Sequence, residues 1–309
     1  MAEHTNIEWC DATVNWWVGC TQISPGCDAC YAKRIAAPFW GQKWGPGVPL
    51  QRFEGALETL KALDRKAQRL GRKLVVFHNS VSDMFDKDAP DAWRMDAFEG
   101  MAQTPNLIHL VLTKRIGNVG PYLQRDSLAF DLIGEGCVWL GITVCNQPEA
   151  DRDITKLLAV PAAKRFLSME PLLGPVDLTG EFLTSKFGFY PFRALEGEYR
   201  THLVDLLDWV IVGGESGPGA RPLHPDWVRS LRDQCQAARV PFMFKQWGGW
   251  LPAKEGRSIT GRVLVLEGAA PFSKNPKWHG FEDGQQVARV GKKAAGRLLD
   301  GVEHNGRPE

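Results

Sequence analysis

Three cysteines near the start of the chain have the spacing of metal ligands. Cys20, Cys27 and Cys30 lie in the stretch WWVGCTQISPGCDACYAKR, with six residues between the first two and two residues between the last two. Disulfide bonds use cysteines in pairs, and a structural zinc site normally takes four ligands. Three thiols on one loop therefore indicate either a zinc site completed by a ligand from elsewhere or a cluster site with one open position.

The bulk composition restricts the class of protein. The chain has 309 residues, of which 44% are hydrophobic and 24% charged, and its net charge of +1 gives no overall attraction to nucleic acid or membranes. The sequence has neither a signal-peptide pattern nor an apolar run long enough to span a bilayer, so we expect a cytoplasmic protein with no membrane partner. In that reducing compartment, an odd count of seven cysteines is poorly explained by disulfides. Metal binding or catalysis is expected for the clustered cysteines, whereas Cys137, Cys145 and Cys235 stand apart and are expected to be small buried apolar residues.

The order of apolar runs along the chain predicts the fold class. Seven runs alternate with helical stretches: VNWWVG at 14–19, KLVVFHNS at 73–80, LIHLVLTK at 107–114, VWLGITV at 138–144, RFLSME at 165–170, DWVIVGG at 208–214 and PFMFKQW at 241–247. This alternation is typical of a parallel sheet covered by helices, either a barrel or a doubly wound sheet. Polar groups such as Thr113 and Lys114 end most of the runs, as at a barrel mouth. We therefore predict an α/β fold, a partial or complete (β/α) TIM-like barrel.

Two segments interrupt this alternation. Residues 178–207 are too long for a simple connection and are predicted to be an insertion. From about residue 251 the composition shifts towards Gly, Lys and Arg. The predicted organisation is a barrel over residues 1–250 and a small C-terminal extension over residues 251–309.

The cysteine loop admits two interpretations from its residues alone. In the first, three thiolates hold three irons of a four-iron, four-sulfur cluster and leave the fourth iron open. In the second, zinc is bound with Cys10 or a histidine such as His78 as the fourth ligand. The second interpretation makes the chain a zinc-stabilised, non-catalytic module that binds nucleic acid or protein. The ligand count favours the cluster, because Cys10 has no second ligand near it in the sequence.

Several longer motifs resemble a known family. They are TNIEWCDATVNWWVGCTQISPGCDACYA, HNSVSDMF, LVLTKR, WLGITV, RFLSMEPLLGP, DWVIVGGESGPGARP, FKQWGGW and GKKAAGRLLDG. Together they resemble a phage-associated family of three-cysteine-motif proteins, which in turn is similar to radical S-adenosylmethionine enzymes. The usual radical-enzyme motif has a shorter first gap and an aromatic residue before its last cysteine, whereas here Tyr31 follows Cys30.

The resemblance implies a fold, a cofactor pair and a reaction. The fold would be a barrel of the radical S-adenosylmethionine type, with a 4Fe-4S cluster on Cys20, Cys27 and Cys30 and S-adenosyl-L-methionine at the open iron. An external one-electron donor such as flavodoxin or ferredoxin would supply the electron that produces a 5′-deoxyadenosyl radical. The phage association makes a nucleic acid or nucleotide the candidate substrate, and no catalytic residue is assigned.

The same resemblance and the strand ends together suggest residues for binding S-adenosylmethionine. The candidates are Tyr31, Asn79, Ser80, Ser82, Asp83, Thr143, Glu170 and Glu215. Asn79 to Asp83 offer acceptors for the ammonium group of the methionine moiety, although Asp83 equally fits a helix N-cap. Glu215, in the glycine-rich stretch GGESGPGAR, can accept from ribose hydroxyls or form a salt bridge with Arg221.

Overall fold

The computed structural model describes residues 5, 7–41, 43–183, 200–253, 258–260, 263–265 and 276–309. The chain divides into two compact units. The first unit comprises Met1–Thr143, Asp151–Phe166 and Phe182–Thr201, and the second comprises Val144–Ala150, Leu167–Glu181 and His202–Glu309.

The described residues form a mixed α/β chain. The strands are β1 Ala12–Val14, β2 Trp17–Val18, β3 Gln51–Arg52, β4 Leu74–His78, β5 Leu107–Thr113, β6 Val138–Thr143, β7 Arg165–Met169, β8 Glu181–Leu183, β9 Arg200–His202, β10 Trp209–Gly213, β11 Phe242–Gln246, β12 Trp250–Pro252, β13 Ser258–Thr260, β14 Val263–Val265, β15 Lys277–Gly280 and β16 Gln286–Arg289. The helices are α1 Tyr31–Trp40, α2 Ala56–Leu70, α3 Asp91–Ala102, α4 Val119–Leu123, α5 Ser127–Glu135, α6 Gln147–Leu158, α7 Pro225–Ala237 and α8 Lys292–Ala295. Among these described helices, none combines the length and apolar content needed to cross a membrane.

The main sheet confirms the predicted α/β class. Its strand order is β1-β4-β5-β6-β7-β10-β11. In the first unit β1, β4, β5 and β6 pair in parallel, and in the second unit β10 and β11 do so. Six of the seven predicted apolar runs each contain one strand of this sheet, whereas the first run, 14–19, shares only Val14 with β1 and contains β2, which lies in a separate two-stranded sheet. The architecture is compatible with a partial (β/α) barrel.

The first predicted strand is shorter in the structure than in the sequence prediction. β1 ends at Val14 because the Asn15 side chain turns to accept from Ser80 Oγ and Val81 N, both at 3.2 Å. The next residue, Trp16, donates its backbone N–H to Asn79 Oδ1 at 2.9 Å. These side-chain bonds redirect the backbone, and β2 pairs instead with β3 in antiparallel fashion.

The predicted helices are present, and one near the cysteines was missed. Four of the helical stretches expected between the apolar runs are α2, α3, α6 and α7, and the last of these begins at Pro225. The sequence analysis missed α1, which starts directly after Cys30, has no side-chain cap and contains Pro38. Proline inside a helix and a missing cap are both signals against helix formation, so its packing against the first unit overrides its local propensity.

The two interrupting segments are only partly described. Residues 184–199 of the predicted insertion lie outside the described residues, and β8 pairs with β9 on either side of them. In the C-terminal extension, β12, β16 and β15 form an antiparallel sheet. The chain end lies along β11, where Phe244 N donates to His304 O at 3.0 Å and Gly306 N donates to Phe242 O at 3.0 Å. These bonds cover backbone groups of an edge strand that would otherwise be open to pairing.

Two buried histidines link β4, β5 and the end of α3 in the first unit. The Trp16 indole donates to His78 Nδ1 at 3.1 Å, His78 Nε2 lies 3.0 Å from His109 Nδ1, and His109 Nε2 lies 3.3 Å from Thr104 Oγ1. Because an indole only donates, His78 carries its proton on Nε2 and gives it to His109 Nδ1, which places the His109 proton on Nε2 as well. Burial lowers the pKa of His78 well below its usual value and lowers the pKa of His109 to about 4.

The neutral histidine pair predicts that the fold loses stability in mild acid. Below the unfolded pKa of about 6.5 the unfolded chain binds a proton that folded His109 does not, so the free energy of unfolding falls by about 1.4 kcal/mol per pH unit from this group. His78 contributes in the same direction. We expect a decrease of about 2 kcal/mol from His109 between pH ~6.5 and pH ~5, measured by urea unfolding at several pH values.

His109→Gln should be less stable at neutral pH but show a shallower dependence of unfolding free energy on pH. His279→Asn, which removes a histidine outside this hydrogen-bonded chain, is the control and should retain the wild-type slope. An unchanged slope in His109→Gln would contradict the assignment of a neutral buried His109.

Candidate metal centre

The cysteine loop, residues 20–30, begins immediately after β2 and is held by backbone bonds. Gly19 N donates to Val81 O, and Cys20 N donates to Lys43 O, each at 3.2 Å. Gly19 has φ +117, and a Cβ there would lie 2.7 Å from Lys43 O. A side chain at this position would therefore push away the segment that holds Cys20.

A short turn and a helix start place the other two thiols. Ser24 Oγ accepts from Gly26 N at 3.1 Å and caps the 3-10 turn Pro25–Cys27. Cys30 is the residue that precedes α1. Cys20 and Cys30 both pack against one apolar cluster, formed by Val18, Ala32, Ala36, Trp44 and Val81. All three cysteine residues are half-buried, so the loop remains partly accessible to solvent.

Arg115 connects the cysteine loop to the segment after β4. Its guanidinium pairs with Asp83 Oδ2 at 3.1 Å and with Asp86 Oδ2 at 2.9 Å. It also donates to Thr21 O and lies 3.5 Å from Cys20 Sγ. All three charged side chains are buried, so these ion pairs lie where water screens them little.

Asp83 uses both carboxylate oxygens within the first unit. Oδ1 accepts from Thr113 Oγ1 at 2.7 Å and from Phe85 N at 3.0 Å, and Oδ2 accepts from Lys114 N at 2.9 Å besides pairing with Arg115. The nearest following helix, α3, begins only at Asp91, so Asp83 caps a turn rather than a helix. Its position fixes the end of β5 relative to the end of β4.

The surroundings of Cys20 keep its thiol neutral when no metal is bound. Burial, together with the charge of Asp83, raises the pKa of Cys20 to about 12, while Arg115 acts in the opposite direction. A metal ion binds the thiolate, so ligation at Cys20 must release this proton. The Arg115 N–H groups then provide donors to the sulfur.

Most other predicted residues of the first unit bond to their own chain. Asn79 lies at φ 57 and accepts from Trp16 N, while Ser82 Oγ donates to Trp17 O at 2.9 Å. Tyr31 OH donates to Ser80 O at 3.0 Å, which ties the start of α1 to the end of β4. Thr143, at the end of β6, accepts from Lys114 Nζ at 3.2 Å. The first unit thus brings Tyr31, Asn79, Ser80, Ser82 and Asp83 to the side of the sheet that carries the cysteine loop.

The second unit contains the two predicted glutamates at strand ends. Glu170 follows β7 and pairs with Lys245 Nζ at 2.8 Å, and it accepts from Gln246 Nε2 at 3.1 Å. Gln246 is buried, and its Oε1 has no hydrogen-bond partner among the described residues. The amide donates to Glu170 and Gly214 O, so its orientation is fixed and the unpaired acceptor is a genuine feature of this strand end.

Glu215 forms the salt bridge with Arg221 that the sequence offered as its alternative role. Its carboxylate accepts from Arg221 N and Nε, each at 2.9 Å, and pairs with Nη2. The neighbouring glycines serve backbone packing: a Cβ on Gly214 would lie 2.2 Å from Trp247 O, and one on Gly248 would lie 2.1 Å from Glu215 O. The glycine-rich stretch therefore brings two backbone segments together, and its composition requires no ligand.

The geometry disfavours a mononuclear zinc site on the cysteine loop. Asp11 N donates to Val75 O near the amino end of β4, whereas Gly19 bridges to Ser82 beyond its carboxyl end, so Cys10 and Cys20 lie at opposite ends of that strand. His78 uses both ring nitrogens in the buried chain described above. Four thiolates around zinc lie about 3.8 Å apart, from a Zn–S bond of about 2.3 Å; in the described part of the chain the three thiols do not form a group within 4.8 Å.

One compact group of metal-type ligands does occur, at the start of α7. His224, Asp226 and Asp283 have ligand atoms within 4.8 Å of one another. His224 Nδ1 accepts from Asp226 N at 3.1 Å, and Nε2 lies 3.0 Å from Asp283 Oδ2. Nδ1 therefore caps the helix and Nε2 bonds to the Asp283 carboxylate, which accounts for the group without a metal.

The sequence analysis missed the part played by Arg115 and Asp86. Neither residue is among the site residues that the sequence predicts. The available signal was that two acidic residues and an arginine follow neighbouring apolar runs, whose carboxyl ends meet at one edge of a parallel sheet.

Comparison with known proteins gives a single result. A family model described as a protein of unknown function (DUF5131) matches residues 4–308. No curated protein and no solved structure matches the chain. The interpretation of function therefore rests on the residues and their geometry.

Replacing Arg115 by methionine should destabilise the protein by about 3–5 kcal/mol, because Asp83 and Asp86 would remain buried without their cation. Urea unfolding at neutral pH measures this loss. Arg52→Met is the matched control: its partner Asp96 and Arg52 itself are 43% and 47% exposed, so we expect a loss below about 1 kcal/mol. Equal losses in the two variants would show that the Arg115 pairs do not organise the fold.

Proposed function

We propose that this chain, which belongs to the DUF5131 family, is a radical S-adenosylmethionine-like iron–sulfur enzyme. The observation that carries the proposal is that one loop, which starts beside the carboxyl end of β4, carries three half-buried cysteines. In the described part of the chain no fourth cysteine or available histidine lies with them, which is the ligand count expected of a cluster with one open iron. The resemblance of the motifs to radical enzymes points the same way.

Three thiols match the ligand number of a four-iron, four-sulfur cluster with one open iron, whereas a structural zinc site needs a fourth ligand. In the described part of the chain the three thiols do not form a group within 4.8 Å, so the ligand number supports this proposal and thiol geometry does not. Cys20, Cys27 and Cys30 would hold the cluster. When bound, the cluster and S-adenosyl-L-methionine would supply one-electron chemistry, in which an electron from a donor such as flavodoxin or ferredoxin would break the sulfonium C–S bond and yield methionine and a 5′-deoxyadenosyl radical.

Arg115 is the residue of this chain that positions Cys20. It holds the loop through Thr21 O and places an N–H group beside Cys20 Sγ. Its other bonds, to Asp83 and Asp86, fix the guanidinium to the segment after β4. Donors to a ligating sulfur stabilise the reduced state of a cluster, so this contact influences the reduction potential as well as the geometry.

The residues after β4 would help to bind the methionine moiety of S-adenosylmethionine. Ser80 and Ser82 are half-buried and lie on the same side of the sheet as the cysteine loop, whereas the Asp83 carboxylate is already saturated by the chain. Tyr31 stays next to them through its bond to Ser80 O. In the second unit, the Glu170 carboxylate forms an ion pair with Lys245, and the Glu215 carboxylate forms one with Arg221. Each glutamate would therefore bind a ligand while it remains in its ion pair.

The substrate class that we propose is a nucleic acid or nucleotide, acted on by hydrogen abstraction in the cytoplasm. The resemblance to a phage-associated family supports this choice. The net charge of +1 does not bear on it, because such a charge neither attracts nor repels a polyanion as a whole.

The ligand set predicts which cysteine variants lose the metal. In protein purified without oxygen, the wild type should contain about four irons and acid-labile sulfide per chain. Cys20→Ser, Cys27→Ser and Cys30→Ser should each lose most of this iron, whereas Cys10→Ser should keep it. Metal loss in Cys10→Ser equal to that in Cys27→Ser, or stoichiometric zinc in place of iron, would support the zinc-stabilised module.

The open iron predicts a response to S-adenosylmethionine. The electron paramagnetic resonance spectrum of the reduced protein should change when the cofactor is added, because the cofactor would chelate the iron that has no thiolate. S-Adenosylhomocysteine, which lacks the sulfonium methyl group, serves as the control and should not yield methionine and 5′-deoxyadenosine under reducing conditions. If the spectrum of the cluster changes with neither compound, the proposed radical chemistry is contradicted, but the assignment of the three cysteines as cluster ligands is not.

A further inference from the structure

The first unit has a second polar concavity on the segment that follows β4. A cavity of about 210 Å³ is lined by Phe85, Lys87, Asp91, Arg94, Asn118, Pro121, Tyr122 and Arg125. We call it the basic cavity. None of the three cysteines lines it, and no residue of the proposed cofactor site contributes to it. Its volume is below the roughly 300–1,000 Å³ of sites for whole drug-sized molecules, so it fits a small group of a larger ligand.

The lining of the basic cavity carries a net positive charge. Three cationic side chains against one carboxylate leave a net charge of +2. The carboxylate, Asp91, is already paired with Arg94 Nη1 and with Arg125 Nη2 at 3.1 Å. Asp86, next to Lys87 in sequence, directs its side chain to Arg115. Lys87 is exposed, and its ammonium group is available to an anion entering the cavity.

The walls of the basic cavity are fixed by bonds to the backbone. Arg94 Nε donates to Met84 O at 2.9 Å, and its guanidinium carbon lies 5.5 Å from the centre of the Tyr122 ring. Asn118 Nδ2 donates to Phe85 O at 2.9 Å, and Arg125 Nη1 donates to Pro121 O at 2.7 Å. Arg94 Nη2 also donates to Asp86 O. These bonds use the named N–H groups within the chain, so the walls of the cavity and their charges are fixed before an anion binds.

The start of α3 adds to this positive potential. Asp91 is the first residue of that helix, which has 12 residues, and the preceding Pro90 provides no side-chain cap. The first-turn amide groups of a helix carry a partial positive charge and bind anions. Two arginines and a lysine therefore lie around one small cavity near the start of α3, together with the Asp91 carboxylate.

We propose that the basic cavity binds the phosphate group of a phosphate ester, and that the ester belongs to a nucleic-acid strand. All nitrogens of the two guanidinium groups already bond to the chain, so Arg94 and Arg125 contribute charge while the Lys87 ammonium contributes the direct contact. Contacts of this kind to phosphate position a strand without reading its sequence. The aromatic rings of the lining, Phe85 and Tyr122, are buried, so the cavity offers a phosphate site and no stacking platform for a base. The phosphate site does not depend on the proposed cluster, and its assignment to a nucleic-acid strand rests on the substrate class proposed above.

The test measures binding to two probes. One is a fluorescein-labelled single-stranded oligothymidylate, followed by fluorescence anisotropy, and the other is inorganic phosphate, followed by calorimetry and as a competitor. Lys87→Glu should weaken binding about tenfold, the effect of losing one charge-assisted hydrogen bond, and the logarithmic salt slope should fall by about 0.7. Arg125→Gln should weaken binding as well. Arg65→Glu, an exposed site of equal charge change on α2, should change the affinity less than twofold.

Each outcome decides the proposal. Oligonucleotide binding that inorganic phosphate competes away, and that Lys87→Glu weakens, supports a nucleic-acid source. Phosphate binding with the same dependence on Lys87, but no oligonucleotide binding, supports the phosphate site and assigns it to a small phosphate ester instead. Absence of binding to both probes, or equal effects of Lys87→Glu and Arg65→Glu in folded protein, overturns it. Cys27→Ser protein without iron should still bind, which separates this result from failure of the proposed cluster.

Discussion

The buried ion pairs of Arg115 are the interaction on which the candidate metal centre depends. One guanidinium joins three segments that are distant in sequence: Thr21 of the cysteine loop, Asp83 and Asp86 after β4, and its own position after β5. A loop rich in small and polar residues cannot bury enough apolar surface to fix itself, so its position is set by this contact with the sheet. The position of Cys20 is therefore determined by contacts among the segments that follow β2, β4 and β5, and not by the cysteine motif alone.

The need of buried polar groups for hydrogen-bond partners also explains the polar residues at the strand ends. Asn79, Ser82 and Asp83 look like ligand acceptors in the sequence, but in the structure they accept from or donate to the chain that surrounds them. Buried polar groups need partners, and near a sheet edge the nearest partners are backbone groups of adjacent loops. These residues support the candidate site. In the second unit the buried Gln246 Oε1 is the exception, because its amide is turned towards Glu170 and Gly214 O.

The sequence predicted the elements that depend on local patterns and missed those that depend on contacts between residues far apart in the chain. Runs such as LIHLVLTK are read correctly as strands because a fully buried strand needs a continuous apolar run, and β5 covers Leu107–Thr113. Helix α1 was missed because its propensity is poor and its stability comes from Ala32 and Ala36 packing on distant residues. The bond of Arg115 to Thr21 spans 94 residues, and no local pattern in a single sequence encodes such a pair.

Backbone and side-chain packing accounts for the glycine-rich and tryptophan motifs of this sequence, but not for the spacing of its cysteines. The close backbone approach of Gly214 and Gly248 explains the glycine-rich stretches, and the ion pair of Glu215 with Arg221 explains the charges between them. Packing explains Trp16, Trp17 and Trp247, which are almost completely buried. The thiols of Cys27 and Cys30 are different: they are half-buried, and among the described residues neither makes a side-chain hydrogen bond. Cys30 packs against the same apolar cluster as Cys20, but packing alone does not account for the spacing of the three cysteines, which is the feature that the proposed ligand would explain.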